Sequence, residues 1–203
     1  MSFRVGVLAS GTGSNLQAIL DRVHGREGVE VVAVGSDKPA ARALERARAA
    51  GVAAQAFPAA GGDRRTRDLA IADWLAERGV ELVVLAGYMQ LLDAAFLARF
   101  PQRVVNVHPA LLPAFQVIGA VEQAVAYGVK LFGVTVHFVD EGVDTGPIIA
   151  QRAVELPGGM SAADVRAALR PVEHDLLTSV VALIARGAVT VDPGDPRHVV
   201  VRS

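Results

Sequence analysis

The sequence predicts an α/β fold: a mostly parallel central sheet with helices on both faces and an antiparallel edge toward the C-terminus. Three observations predict it. Short β-rich runs alternate with alanine-rich helical stretches, which is the pattern of βαβ units. After residue 133 two strand-like runs are joined by "DEGVDTG", too short for a helix, so they should pair antiparallel. No internal repeat or low-complexity linker divides the 203 residues, so one domain over 1–203 is expected.

The strands are expected at "FRVGVLA" (3–9), "VEVVAVG" (29–35), "VAAQAF" (52–57), "ELVVLAG" (81–87), "RVVNVH" (103–108), "GVTVHFV" (133–139) and "PIIAQRAV" (147–154). Between the first two, Leu16, Ile19, Leu20 and Val23 recur at i, i+3, i+4 and i+7, one apolar stripe on a helix that starts near Asn15. A second helix over 40–50 can be closed by Gly51, and a third over 66–78 by Gly79. A short helix over 93–100 stops at Pro101, and another covers 119–127. The last helical stretch, 161–186, contains Pro171, which should kink it or divide it in two. "VDPGDPRH" reads as turns before a terminal edge strand, "VVV".

Composition narrows the chemistry. Twenty basic against twenty-one acidic residues set up no overall field toward nucleic acid or a membrane surface. No cysteine is present, so disulfides, thiolate nucleophiles and cysteine-ligated metals are excluded and a cytoplasmic setting is expected. The first residues lack the basic and apolar regions of a signal peptide. No apolar stretch reaches the roughly 18 residues of a membrane span. A small polar substrate remains open.

Three short passages could carry chemistry. "ASGTGSNLQ" (9–17) joins the first strand to the first helix through two glycines. Its unpaired amides and the helix's positive end suit a phosphate, although a tight turn with Ser14 as N-cap accounts for the same residues. Leu16 stands where a dinucleotide fingerprint needs glycine, and the P-loop lysine is absent, so a phosphate monoester fits better than NAD or ATP.

The second passage is "RVVNVHPALLP" (103–113), an apolar run broken by an amide and an imidazole. Residues two apart on a strand share a face, so Asn106 and His108 point the same way at the carboxyl end of a strand. Pro109 ends the ladder there. Such a pair suits acyl-type transfer to an amine: the amide donates to a developing oxyanion and the imidazole shuttles a proton. A capping asparagine beside a satisfied histidine is the plainer alternative.

The third passage, "DEGVDTGP" (140–147), places Asp144 between Gly142 and Gly146, where the chain can bend and carry a carboxylate back toward the histidine. There it would favour the protonated imidazole. His137 reads as a packed strand residue, His24 and His198 as turn residues, and Glu173 beside His174 as an ordinary helix face.

Together, "LASGTGSNLQ", "VVLAGYMQLL", "VNVHPALLPAF" and "TVHFVDEGVDTGPIIAQ" resemble, in order and spacing, the folate-dependent glycinamide ribonucleotide formyltransferase family, over residues 3 to about 186. The resemblance implies a Rossmann-like formyltransferase fold. It implies transfer of a formyl group from 10-formyltetrahydrofolate to glycinamide ribonucleotide in purine biosynthesis, without a metal. By the same resemblance Asn106 binds the formyl oxygen, His108 acts in proton transfer and oxyanion stabilisation, and Asp144 tunes His108. The nucleotide phosphate falls to Gly13, Ser14 and Asn15, and other nucleotide groups to Glu173. The folate falls to Arg64, to Leu85 with Met89, Gln90, Leu91 and Leu92, and to Val139, Asp140, Glu141, Gly142 and Val143. Where the family usually has Pro-Gly, one residue and then His, this chain has Gln116, Val117, Ile118 and Gly119. Gln90 stands where many members carry arginine, and Pro171 is a further departure.

The expected partners are therefore small molecules, with no nucleic acid and no membrane, acting on a monomer or homodimer. Two other readings stand beside transfer to glycinamide ribonucleotide. One is a 10-formyltetrahydrofolate hydrolase or a transferase for another amine; such hydrolases carry an extra N-terminal regulatory domain, whereas strand one here begins at Phe3. The other is a non-catalytic nucleotide-binding module. The missing Gly-x-Ser-x-Gly elbow and the missing cysteine agree with direct amine attack and no covalent enzyme intermediate.

Overall fold

Small and β-branched residues alternate with amphipathic helices through the first half of the chain, and the computed structural model turns each predicted run into its element. It describes residues 2–58 and 63–202, which fall into two units, Met1–Asn106 and Val107–Ser203.

The first unit holds β1 (Phe3–Leu8), α1 (Ser14–Arg22), β2 (Val29–Ser36), α2 (Arg42–Ala49), β3 (Ala53–Ala56), α3 (Arg64–Ala76), β4 (Leu82–Leu85) and α4 (Ala94–Arg99). β5 (Val104–His108) runs from its last residues into the second unit. The strands named here pair in parallel: β1 lies between β2 and β4, β3 flanks β2, and β5 pairs with β4. The chain thus steps outward from β1 on one side and returns to build on the other. That reversal is the switch point at which open parallel sheets bind ligands, beyond their carboxyl ends.

The predicted stripe of α1 is buried at Leu16, Ile19, Leu20 and Val23. Its N-terminus corrects one expectation, because the N-cap is Gly13 and Ser14 is the first helical residue. Gly13 has φ 71°, and a Cβ there would lie 2.9 Å from the Cα of Ala43. The left-handed backbone and the close approach of α2 both demand glycine. Side-chain caps do appear at α3 and α4, where Asp63 accepts from the Thr66 amide and Asp93 from the Ala95 amide.

The second unit holds α5 (Ala120–Tyr127), β6 (Leu131–Phe138), β7 (Ile148–Glu155), α6 (Ala162–Ala185), β8 (Val189–Asp192) and β9 (Asp195–Val201). β6 and β7 pair antiparallel, as the short connection required. α6 starts at a capping box between Ser161 and Asp164 and runs 24 residues without a break, Pro171 included. The expected division does not occur. Pro171 is exposed, so its ring faces water, while Val165 and Leu169 before it and Leu176, Leu177, Val180 and Val181 after it are buried on a helix packed against β6 and β7. Each such side chain contributes about 1.5–3 kcal/mol, which outweighs the roughly 3 kcal/mol an interior proline costs.

The C-terminal turns are a second correction. β8 and β9 form an antiparallel hairpin. Asp192 Oδ1 accepts from the Gly194 amide at 2.8 Å, closing the turn in two residues. Pro196 then falls in the bulge created by the register shift between Val191 and Asp192, where no ladder bond is required of it. His198 is accordingly a strand residue.

Candidate active site

Two groups of predicted residues come together, one in each unit. In the first unit the loop after β1 meets the stretch after β4: the Ser10 amide donates to the Gly87 carbonyl at 3.0 Å and the Met89 amide to Ser10 Oγ at 2.9 Å. The loop that leads to the phosphate candidates Gly13, Ser14 and Asn15 is therefore hydrogen-bonded to the stretch that holds the folate candidate Met89. Arg46 of α2 pins the same loop, donating from Nε to the Thr12 carbonyl at 2.8 Å and from Nη1 to Gln17 Oε1 at 2.7 Å. A fixed guanidinium thus lies behind the helix N-terminus, and both favour an anion.

Leu85 is buried, while Met89 and Leu91 are exposed and Leu92 is half-buried. Gln90 is already engaged, donating to Asp37 Oδ2 at 3.1 Å and accepting from Arg67 Nη1 at 3.2 Å. Arg67 in turn pairs with the buried Asp68 at 2.8 Å. Tyr88 lies in the same polar cluster; burial pushes its hydroxyl well above the usual phenol range, with Arg67 opposing and Asp68 and Asp37 adding to the rise. Arg64 lies at the start of α3, largely exposed, with Asp93 3.9 Å away. At that distance and exposure the pair adds little, so the guanidinium is available to an anionic ligand.

The second group is built around His108, 6% exposed at the end of β5. Its Nδ1 lies 3.2 Å from Asp144 Oδ2, and its Nε2 lies 2.8 Å from the Phe115 carbonyl oxygen. A carbonyl can only accept, so Nε2 carries a hydrogen. Nδ1 then faces the Asp144 carboxyl group, and the two ring nitrogens are held from opposite sides. Asn106, half-buried two residues earlier on the strand, shares the face of His108 by alternation.

Asp144 reaches His108 because its loop is tightly folded. Asp144 itself has φ 51°, left-handed and rare outside glycine. A Cβ at Gly146 would collide with the Phe138 carbonyl, and one at Gly142 with Thr145 Oγ1. Asp140 Oδ1 accepts from the Gly142 amide and from Thr145 Oγ1, Gln116 Nε2 donates to the Asp144 carbonyl at 3.0 Å, and Arg197 of β9 donates to the Thr145 carbonyl at 3.0 Å. The carboxylate is presented by a rigid turn.

Sequence reasoning missed one member of this cluster. His137 is 1% exposed on β6, and its Nε2 lies 3.4 Å from Asp144 Oδ1 while its Nδ1 contacts the Phe138 carbonyl at 2.7 Å. Asp144 therefore bridges two imidazoles. The signal was the seven-residue spacing from His137 to Asp144 across a turn, which alternation along a strand alone does not resolve. Thr135, fully buried on the same face of β6, donates to the Ala110 carbonyl at 2.7 Å and accepts from the Leu112 amide at 3.1 Å and from Gln151 Nε2 at 2.9 Å. It fixes the chain just after His108.

Residues 3–181 match the family model described as formyl transferase. The chain belongs to the formyl transferase family. This formyltransferase chain is 44% identical over 195 residues to the phosphoribosylglycinamide formyltransferase of Mycobacterium tuberculosis, covering 93% of this chain and 87% of that one. It is 38% identical over 188 residues to the trifunctional purine biosynthetic protein adenosine-3 of Bos taurus, covering 92% of this chain and 19% of that longer one. Its fold matches the crystal structure of glycinamide ribonucleotide transformylase 1 from Symbiobacterium toebii with a TM-score of 0.94 and 45% identity, covering 100% of this chain and 95% of that one. The formyltransferase reading made from the short motifs thus holds over the length of the chain.

The remaining predicted residues of this formyltransferase take more open positions. Glu173 is half-buried on α6. Val139 and Asp140 are half-buried, and Glu141, Gly142 and Val143 are exposed along the turn that carries Asp144. His24 is a turn residue whose Nδ1 accepts from the Val31 amide at 3.0 Å, and His198 lies 3.7 Å from Asp192 on the exposed hairpin. No helix of the described residues is long and apolar enough to cross a membrane.

Proposed function

We propose that this protein transfers the formyl group of 10-formyltetrahydrofolate to the amino group of glycinamide ribonucleotide, a step of purine biosynthesis. The chain would act as one catalytic domain, in the cytoplasm, as a monomer or homodimer, with no metal. The observation that carries the reading is the imidazole of His108: Nδ1 is held by Asp144 and a hydrogen on Nε2 is aimed at a carbonyl oxygen 2.8 Å away. A formyl oxygen is an acceptor of the same kind.

In this reading the substrate amine attacks the formyl carbon, and the carbonyl oxygen takes up negative charge. Nε2–H of His108 and the amide of Asn106 donate to that oxygen, where a well-placed donor contributes about 10²–10³ in rate. Asp144 keeps the ring in the required tautomer and balances its charge. The attacking amine loses a proton, the bond from the formyl carbon to the folate nitrogen breaks, and that nitrogen gains a proton. Tetrahydrofolate leaves and the formyl amide remains on the nucleotide. The nucleotide phosphate rests on the amides of Gly13, Ser14 and Asn15, with Glu173 on other nucleotide groups. Arg64, Leu85, residues 89–92 and residues 139–143 hold the folate, whose carboxylates suit the exposed Arg64.

The test is to mix the protein with 10-formyltetrahydrofolate and follow its absorbance with and without glycinamide ribonucleotide. Loss of the formyl-folate that requires the amine is the expected result. Loss without the amine makes the protein a hydrolase, and no loss in either case makes it a binding module.

A further inference from the structure

The segment that departs most from the family's pattern, residues 116–119, begins at the residue that follows the one resting on His108. We infer that Gln116 is a positioning residue that latches the Phe115 carbonyl onto His108, so that this oxygen stands in for the substrate's carbonyl oxygen until a ligand displaces it. The inference rests on the formyl-transfer reading given above for what the ligand is, and on geometry alone for the latch.

Four observations support it. Both nitrogens of His108 are engaged, Nδ1 by Asp144 and Nε2 by the Phe115 oxygen, so no N–H is left for a substrate. Phe115 adopts φ 56°, a left-handed conformation that costs a non-glycine residue about 1–2 kcal/mol and persists only where contacts hold it. One such contact is the amide of Gln116, which donates to the carbonyl of Asp144 at 3.0 Å and so ties the segment to the residue that orients His108. Beyond the tie the side chains are open, Val117 exposed and Ile118 84% exposed, and a further bond to the Phe115 carbonyl, from the Val117 amide at 2.8 Å, is local and moves with the segment.

The arrangement is a competition for one donor. A formyl oxygen can reach Nε2–H only when the Phe115 carbonyl leaves it, and the carbonyl leaves more readily when the Gln116 tie is cut. The apparent affinity for formyl-folate is the intrinsic affinity reduced by the fraction of molecules with the latch open. Neutral hydrogen bonds of this kind change such an equilibrium by about 2- to 10-fold.

Two measurements on Gln116→Glu test this, since glutamate keeps the length, loses the donor and repels the Asp144 carbonyl. In the ligand-free protein, the rate at which diethyl pyrocarbonate modifies His108, read by mass spectrometry against His198 as an exposed reference, should rise about 2- to 10-fold. In steady-state assays the KM for formyl-folate should fall by a similar factor while the KM for the nucleotide stays unchanged. Gln116→Met, which removes the donor without adding charge, must move both readouts in the same direction. An unchanged or slower modification of His108, or an unchanged or raised KM for the folate, would overturn the latch. If the wild-type protein transfers no formyl group, the functional reading fails, and the modification rate still decides the latch.

Discussion

Asp144 Oδ2 lies 3.2 Å from Nδ1 of His108. Its other oxygen lies 3.4 Å from Nε2 of His137, so one carboxylate orients two buried rings. Asp144→Asn would keep the shape but turn one acceptor into a donor, leaving one imidazole facing an N–H. We expect kcat to fall by about 10²–10³ with both KM values within a few-fold, as measured by steady-state kinetics. A fall in folate affinity equal to the fall in kcat/KM would place Asp144 in binding instead.

His137 acts through Asp144 and should matter less than its neighbour. Replacing it by asparagine removes the imidazole contact to the second carboxylate oxygen and leaves His108 in place. The expected loss in kcat is about 2- to 10-fold, the worth of one long hydrogen bond. A loss as large as that expected for Asp144→Asn would give His137 a direct part in the chemistry.

Thr135 carries a prediction about stability. Its hydroxyl serves Ala110, Leu112 and Gln151 from a fully buried position. Thr135→Val fills the same space without the hydroxyl and takes a partner from the buried Ala110 carbonyl and Leu112 amide, at about 1–3 kcal/mol for each group left unsatisfied. Urea denaturation should show a lower midpoint at unchanged slope. A midpoint that does not move would mean that other groups or water replace the hydroxyl.

At the other candidate subsite, Gly13→Ala must both take a left-handed backbone and push against the Cα of Ala43. Ser14→Asp leaves the backbone alone and sets a negative charge at the helix N-terminus. Both should raise the KM for the nucleotide at least tenfold more than the KM for the folate. Equal effects on the two KM values would move the phosphate away from this loop.

Much of the fold could be read in the residues because periodicity and punctuation agreed. The stripe from Leu16 to Val23 and the glycines at 51 and 79, both at positive φ, closed their helices where expected. The departures came where tertiary packing overrode a local signal: buried residues on either side kept α6 whole through Pro171, and an aspartate side chain compressed "VDPGDPRH" into a hairpin turn. At the candidate site, His108 and Asp144 were legible because amide, imidazole and flanked carboxylate form a recognisable chemical set. His137 was not, since a histidine within an apolar strand looks the same whether it packs or pairs. The Phe115 carbonyl was also beyond reach, because a backbone oxygen has no letter in a sequence.

The turn from Asp140 to Gly146 has a further consequence for how such an enzyme can change. Positions 142 and 146 admit no side chain without collision, and Asp140 is committed to holding the bend. Glu141 and Val143 point into solvent and bear none of the load. Evolution can therefore rewrite those two letters to suit a different ligand surface while the carboxylate that follows them stays beside His108.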